Sequence, residues 1–324
     1  MRALVCEQFG PPEQLVLTEM DAPEPGPRQI AIDVAAAGLN FPDVLVVAGQ
    51  YQIKTQPPFV PGSEVAGVVA AVGDDVKHFK VGDKVIAMTM LGAFAERCVV
   101  AESQVMPLLP GLSFAQGAGF AVTYGTAYHA LKQSAALAAG ETLLVLGAAG
   151  GVGIAAVELG KAMGATVIAA ASSDAKLEFA RDIGADHSIN YSTTSLRDEL
   201  RSMTDGKGVD VVFDPVGGDL AIAALRSLAW HGRFLVIGFA SGDIPQLPAN
   251  LALLKEAAVQ GVWWGTWATR HPKLQQENVQ EMAALIASGK LIPRVTREYA
   301  LADWIPAFAD ITDRKALGKV VLVP

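Results

Sequence analysis

The run Leu143-Leu144-Val145-Leu146-Gly147-Ala148-Ala149-Gly150-Gly151-Val152-Gly153 decides how the rest of this sequence is read. Its apolar start fits a buried strand. Glycines follow, and Val152 to Met163 then repeats apolar residues at helical spacing. Strand, glycine turn and helix in that order form the setting a dinucleotide loop needs. The glycines let backbone approach a pyrophosphate, and the free N–H groups and dipole of the helix N-terminus receive its charge. Against the pattern G-x-G-x-x-G, Ala148 stands at the first glycine. Glycines alone also suit a tight strand–helix turn. A second strand at Thr166 to Ala170 favours the nucleotide site, with backbone contacts from Ala149, Gly150, Gly151 and Val152.

Outward from this loop the alternation continues. Asp174 to Ile183 reads as a helix, followed by Val209 to Phe213, Leu220 to Ala229, Arg233 to Ile237 and Gln260 to Trp263. Such alternation predicts a doubly wound parallel sheet, class α/β. Upstream the chain is β-rich: Gln29 to Ala35, Glu64 to Val72, Lys84 to Met88 and Phe94 to Val100 lie between turn signals such as Pro61-Gly62 and Gly82-Asp83. That spacing suggests a small barrel or sandwich. The chain ends on a helix, Glu277 to Ser288, and short strands closing at Lys319 to Val323. The expected organisation is a dinucleotide domain, 123–265, inserted into a β-rich domain made of 1–122 and 266–324.

The 324 residues suit two domains. A net charge of -8 disfavours nucleic acid, which needs clustered Lys and Arg. Cys6 and Cys98 are the only cysteines, too few for a disulfide framework, so a reducing cytoplasm fits. The opening MRALVCEQFG has no long apolar stretch of a signal peptide, and the most apolar run, Thr142 to Val157, is too short and glycine-rich to span a membrane.

The second strand discriminates between nicotinamides. NAD sites place Asp or Glu about 20 residues beyond the loop, on the ribose 2′-OH. Here Ala169-Ala170-Ala171-Ser172-Ser173 carries no acid and Lys176 follows. Hydroxyls and an ammonium suit a 2′-phosphate, so NADPH is the expected cofactor. Ser172, Ser173 or Asp174 also have helix-capping chemistry, Lys176 also fits a solvated helix face, and Asp174 keeps NADH open.

With these residues in view, the sequence resembles the quinone oxidoreductases and zeta-crystallins of the medium-chain dehydrogenase/reductase superfamily. Gly140 through Lys161 is similar to their signature, with Glu158 where the family usually has Gln. Gly38-Leu39-Asn40-Phe41-Pro42-Asp43, Pro61 to Gly67, Val81 to Val85, Ile189-Asn190-Tyr191, Asp214 to Gly218 and Gly318 to Leu322 extend the resemblance along the chain. It implies a GroES-like catalytic domain plus a Rossmann domain, with the site in the cleft between. It also implies a homodimer paired through the Rossmann sheet edge, here Gln260 to Gly265.

Relatives with catalytic zinc hold it by a Cys and a His in the two N-terminal motifs. Asn40 and Ser63 stand there instead, and neither is a good zinc ligand. No metal is expected. Without a Lewis acid, reduction of an acceptor that already delocalises charge is easier than alcohol oxidation. The resemblance places Asn40, Asp43 and Tyr51 beside nicotinamide and substrate, with Tyr51 a possible proton donor. Asn40 also reads as a helix N-cap, and Tyr51 as an amphipathic aromatic. The resemblance puts Thr123, Gly238 and Phe239 near the nicotinamide, and Tyr191 and Lys319 near the 2′-phosphate. Leu45 and Val47, where relatives carry Tyr and Arg, imply a more apolar pocket. Trp263, Trp264 and Trp267 suit core or interface packing.

The expected activity is hydride transfer from NADPH to a quinone or similar conjugated carbonyl. Two alternatives stay open: an enone, enal or enoyl-thioester reductase, for which Lys54, Arg270, His271 and Lys273 would form the carrier's basic patch, and a non-enzymatic NADPH-binding crystallin-like or regulatory protein.

Overall fold

The computed structural model describes residues 1–52 and 55–324. Its N-terminal part holds β1 (Arg2–Val5), β2 (Val16–Glu19), β3 (Gln29–Leu39), α1 (Phe41–Val47), β4 (Glu64–Val72), β5 (Lys84–Met88), β6 (Arg97–Ala101), β7 (Val105–Pro107), α2 (Phe114–Ala118) and α3 (Ala121–His129). Next come β8 (Thr142–Leu146), α4 (Gly151–Ala162), β9 (Thr166–Ala171), α5 (Asp174–Asp182), β10 (His187–Asn190), α6 (Leu196–Met203), β11 (Val209–Asp214), α7 (Gly218–Arg226), β12 (Leu228–Val236), α8 (Ala249–Leu253), β13 (Ala258–Gly261), α9 (Trp264–Arg270) and α10 (Pro272–Ala287). β14 (Val295–Ala300), α11 (Trp304–Thr312) and β15 (Lys319–Val323) close the chain.

The chain divides into two compact units: Met1–Val122 with Pro293–Pro324, and Thr123–Ile292. Residues 266–292 therefore group with the second unit, a correction to the boundary expected from sequence. The cause is side-chain bonding along α10. Asn278 accepts from Gln133 Nε2 at 2.8 Å, and Glu281 accepts from Lys132 Nζ at 2.5 Å, tying α10 to the turn after α3.

In the first unit a seven-stranded sheet runs β14-β15-β3-β4-β5-β7, with β6 paired to β3, and is antiparallel except for β14 with β15. Alternating residues of β3, β4 and β5, such as Ile30, Ile32, Val65, Val69 and Val85, supply its core together with Phe94 and Phe308. β3 runs four residues beyond the expected end at Ala35, because Ala36 to Gly38 still pair with β4.

The second unit is a parallel six-stranded sheet in the order β10-β9-β8-β11-β12-β13. This is the Rossmann order, which reverses between β8 and β11 and so opens a crevice at their carboxyl ends. After a leading threonine, β8 and β9 are apolar and buried on both faces, as parallel strands covered by helices must be. Among the described residues β13 pairs only with β12, and all its residues are exposed. It lies slightly upstream of the expected edge strand Gln260 to Gly265: the last ladder bond is Val262 N–H to Val236 O, and α9 begins at Trp264.

Candidate functional site

β8 delivers the chain to the glycine loop at the switch point. Gly147 takes φ +58°, where an L side chain is strained, and a Cβ there would lie 2.9 Å from Val216 of the neighbouring loop. Gly153 is the tighter constraint: its Cβ would sit 2.3 Å from the Gly147 carbonyl oxygen. Helix α4 can start against the loop only because that position has no side chain. Gly150 is its N-cap, and no side chain caps this end. The first-turn N–H groups have no intrahelical partner. Gly150, Gly151 and Val152 are half-exposed and Ala149 is buried beneath them. An uncapped, half-exposed helix N-terminus built on glycines fits a pyrophosphate. Glu158, the departure from the family signature, is buried and accepts from the Tyr124 hydroxyl at 2.5 Å.

The carboxyl end of β9 gathers the residues expected at the 2′-phosphate. Lys176 Nζ donates to Ser172 Oγ at 3.0 Å, and both are half-buried. Ser173 is the N-cap of α5, yet its hydroxyl makes no capping bond. Tyr191 N–H donates to Ala171 O at 3.2 Å, which brings Tyr191 to the same edge. The Asp174 carboxylate accepts from Asn190 Nδ2 at 2.8 Å. Gly238 and Phe239 follow β12: Gly238 N–H donates to Asp214 O, and the Phe239 ring lies 3.0 Å from where a Gly217 Cβ would be. Buried Asp214 shapes that turn by accepting from the Val216 and Gly217 amides at 2.8 and 2.9 Å. Thr123 is buried in the first turn of α3. Ala149, Gly150, Gly151, Val152, Ser172, Ser173, Lys176, Tyr191, Gly238 and Phe239 thus all stand at the carboxyl edge of one sheet.

In the first unit, a second cluster forms where β3 meets α1. Asn40 is the N-cap of α1, and the Asp43 carboxylate accepts the Asn40 N–H at 2.8 Å. Asn40 thus occupies the N-cap position, while its own side chain makes no capping bond. Its amide is also committed: Nδ2 donates to Glu64 Oε1 at 2.9 Å and Oδ1 accepts from Lys319 Nζ at 2.5 Å. Lys319 also donates to Glu64 Oε1 at 2.7 Å, and Glu64 Oε2 accepts the Val122 N–H at 2.9 Å. Lys319 is 3% exposed and Glu64 0%. Lys319 is thus enclosed and already paired, whereas its expected role calls for an ammonium open to a phosphate. Glu64 was missed as a site residue. Its signal was an acid opening an otherwise apolar strand, Glu64-Val65-Ala66-Gly67-Val68-Val69.

Burial raises the Asp43 carboxyl to about 7, against the lowering effects of the Asn40 N–H, the Lys319 ammonium and the Ser63 hydroxyl. Tyr51 is half-buried, and burial followed by the nearby Asp43 charge pushes its phenol upward. It therefore stays a hydrogen-bond donor throughout the neutral range. Val47, expected in the pocket wall, is 1% exposed and belongs to the core of the first unit. Leu45 is half-exposed.

The donor set does not fit zinc. Asn40 Oδ1 already faces an ammonium, which repels a cation, and among the described residues no three His, Cys, Asp or Glu side chains group as ligands. Cys98 is buried and its thiol is pushed up to about 12, far from the thiolate a metal requires. The tryptophans divide: Trp264 is buried with Nε1 donating to Gln275 Oε1, Trp267 stacks on His129 at 4.1 Å, and Trp263 is exposed. Arg270, His271 and Lys273 are exposed around the α9–α10 junction, whereas Lys54 lies outside the described residues.

Two families match the chain: residues 26–131 match the Alcohol dehydrogenase GroES-like domain and residues 151–288 the Zinc-binding dehydrogenase. The chain is 38% identical to a quinone oxidoreductase-like protein 2 homolog of Nematostella vectensis, covering 99% of this chain and 88% of the relative. It is 36% identical to a quinone oxidoreductase of Pseudomonas aeruginosa over 98% of this chain and 97% of the relative. Among solved structures it is similar to Escherichia coli quinone oxidoreductase complexed with NADPH, with a TM-score of 0.94, 30% identity and 100% coverage of both chains. End-to-end identity at this level, on a Rossmann sheet with an uncapped glycine helix, means that the chain belongs to the quinone oxidoreductase family of the medium-chain dehydrogenase/reductase superfamily.

Proposed function

We propose that this chain is an NADPH-dependent oxidoreductase that reduces a quinone or similar conjugated carbonyl without zinc. The observation that carries the reading is the uncapped N-terminus of α4 at the switch point, with Ser172 and Lys176 hydrogen-bonded to each other at the end of the adjacent strand. In this reading the α4 amides bind the pyrophosphate, and Ser172, Ser173, Lys176 and Tyr191 bind the 2′-phosphate. Thr123, Gly238 and Phe239 orient the nicotinamide end. The bound cofactor supplies the hydride. Asn40 and Asp43 position the acceptor side, and Tyr51 holds a proton at its hydroxyl for the reduced oxygen. The two units divide the work, the first for substrate and the second for cofactor.

We further infer a homodimer through the exposed edge strand β13, supported by its unpaired side and by Val259 and Trp263 exposed along it. A cytoplasmic setting agrees with buried free Cys6 and Cys98. Among the described residues no helix is long and apolar enough to cross a membrane.

The test is NADPH oxidation with benzoquinone, a simple enone and crotonyl-CoA side by side, repeated with NADH and with a zinc chelator. Fastest turnover on the quinone, preference for NADPH and indifference to chelator are expected. Preference for crotonyl-CoA makes it an enoyl-thioester reductase, and binding with no turnover makes it a cofactor-binding protein. No affinity for either reduced nucleotide, or loss of turnover with zinc removal, would refute the proposal.

A further inference from the structure

We propose that Glu64 and Lys319 are positioning residues, which together fix the orientation of the Asn40 side-chain amide and the start of α3. The inference rests on the oxidoreductase reading above. Each hydrogen bond in the group has one permitted direction. Lys319 is donor only and Glu64 acceptor only. Asn40 must therefore turn its oxygen to Lys319, at 2.5 Å, and its nitrogen to Glu64, at 2.9 Å. A flipped amide would set NH2 against ammonium and oxygen against carboxylate. The remaining Glu64 oxygen takes the Val122 N–H, two residues into α3 and directly before Thr123. Four segments remote in sequence, at residues 40, 64, 122 and 319, are thus locked at one point.

The fold makes room for these two charges. A Cβ on Gly38 would lie 2.2 Å from Ala118 O and 2.6 Å from Glu64 Oε1. A Cβ on Gly119 would lie 2.7 Å from Lys319 Cγ. Burying two charges this completely is weak support for stability, because a neutral pair of similar volume is often as stable or more so. Orientation is what a neutral pair loses. Neither residue was predicted to act this way from sequence, and neither needs to touch substrate or cofactor to do so.

The decisive variant is the double substitution Glu64→Gln with Lys319→Met, which removes both charges together and so strands neither. The folded protein should keep its thermal midpoint and its NADPH affinity, read by tryptophan fluorescence, within about twofold. Its kcat should fall about ten- to hundredfold, the equivalent of losing one hydrogen bond to a charged group. The Asn40 side-chain amide signals, identified by their absence in Asn40→Ala, should be sharp and single in the cofactor-free native protein and shifted or exchange-broadened in the double variant. Lys319→Arg, which keeps cation and donors, should recover part of the kcat.

An unchanged kcat with unchanged amide signals would overturn the inference. So would a loss confined to NADPH affinity, which would return Lys319 to a cofactor role. Should the double variant not fold, Asn40→Ala in the intact pair carries the test: it should lose kcat with NADPH affinity retained, and native kcat would refute it. A native protein that turns over no acceptor defeats the oxidoreductase reading instead, while the cofactor-free amide signals still decide the orientation.

Discussion

Replacing Asp43 by asparagine removes one buried ionisable group while conserving its shape. Asp43 is 2% exposed, and burial raises its carboxyl from 3.8 to about 7. Between those two values the native state keeps a proton that the unfolded chain has released. The native state therefore binds more protons, and stability falls as pH rises through this window. The shift of about three units, at about 1.4 kcal/mol each, amounts to about 4 kcal/mol, reached above the folded-state value. Asparagine does not ionise, and its carbonyl oxygen still accepts the Asn40 N–H that Asp43 accepts at 2.8 Å. The variant should match the native protein near pH 4 and exceed it by about 4 kcal/mol at pH 8. Urea unfolding of both proteins at matched pH from 4 to 9 measures the difference directly, and every group outside the cluster cancels. A difference that stays flat across this range would refute the reasoning. So would a native protein that gains on the variant as pH rises, since that is the behaviour of a carboxylate whose folded-state value lies below 3.8.

Gly153→Ala should cost about 1–3 kcal/mol of stability, as overpacking does, and weaken NADPH binding at least about tenfold, because its Cβ would meet the Gly147 oxygen at 2.3 Å. Calorimetry with NADPH checks both. Lys176→Met should raise the NADPH dissociation constant about ten- to hundredfold and leave that for NADH unchanged, a split read by parallel titrations. Arg233→Ala removes the partner that Glu141 holds at 2.6 Å and should cost about 2 kcal/mol at pH 7. The Arg233 guanidinium lowers the Glu141 carboxyl, so that contribution is present above the unfolded value and is lost as pH falls through the folded one. Unfolding at pH 7 and in acid should therefore show the variant and native protein converging. Val259→Lys on the exposed strand β13 should shift sedimentation from dimer to monomer without loss of secondary structure.

The sequence by itself determined the elements whose physics is local. Strand β8, the glycine loop and α4 could be read from a run of apolar residues, from glycines and from helical periodicity, and Glu64–Val72, Lys84–Met88 and Lys319–Val323 fell where alternation and turn residues put them. The junction proposed for the 2′-phosphate is local for the same reason: Ser172, Ser173 and Lys176 lie within one strand–helix turn, and strand order places Tyr191 beside it. Only the tertiary structure decided the rest. Residues 266–292 joined the second unit through Lys132 and Gln133, which no periodicity in α10 announces. Val47 proved to be core and Lys319 a buried partner of Asn40 and Glu64. The charge of a lysine can be read from the chain, but what that charge faces depends on contacts across 279 and 255 residues. Hydrogen-bond direction and burial, which set the Asn40 amide and raise the Asp43 carboxyl, exist only once those distant segments meet.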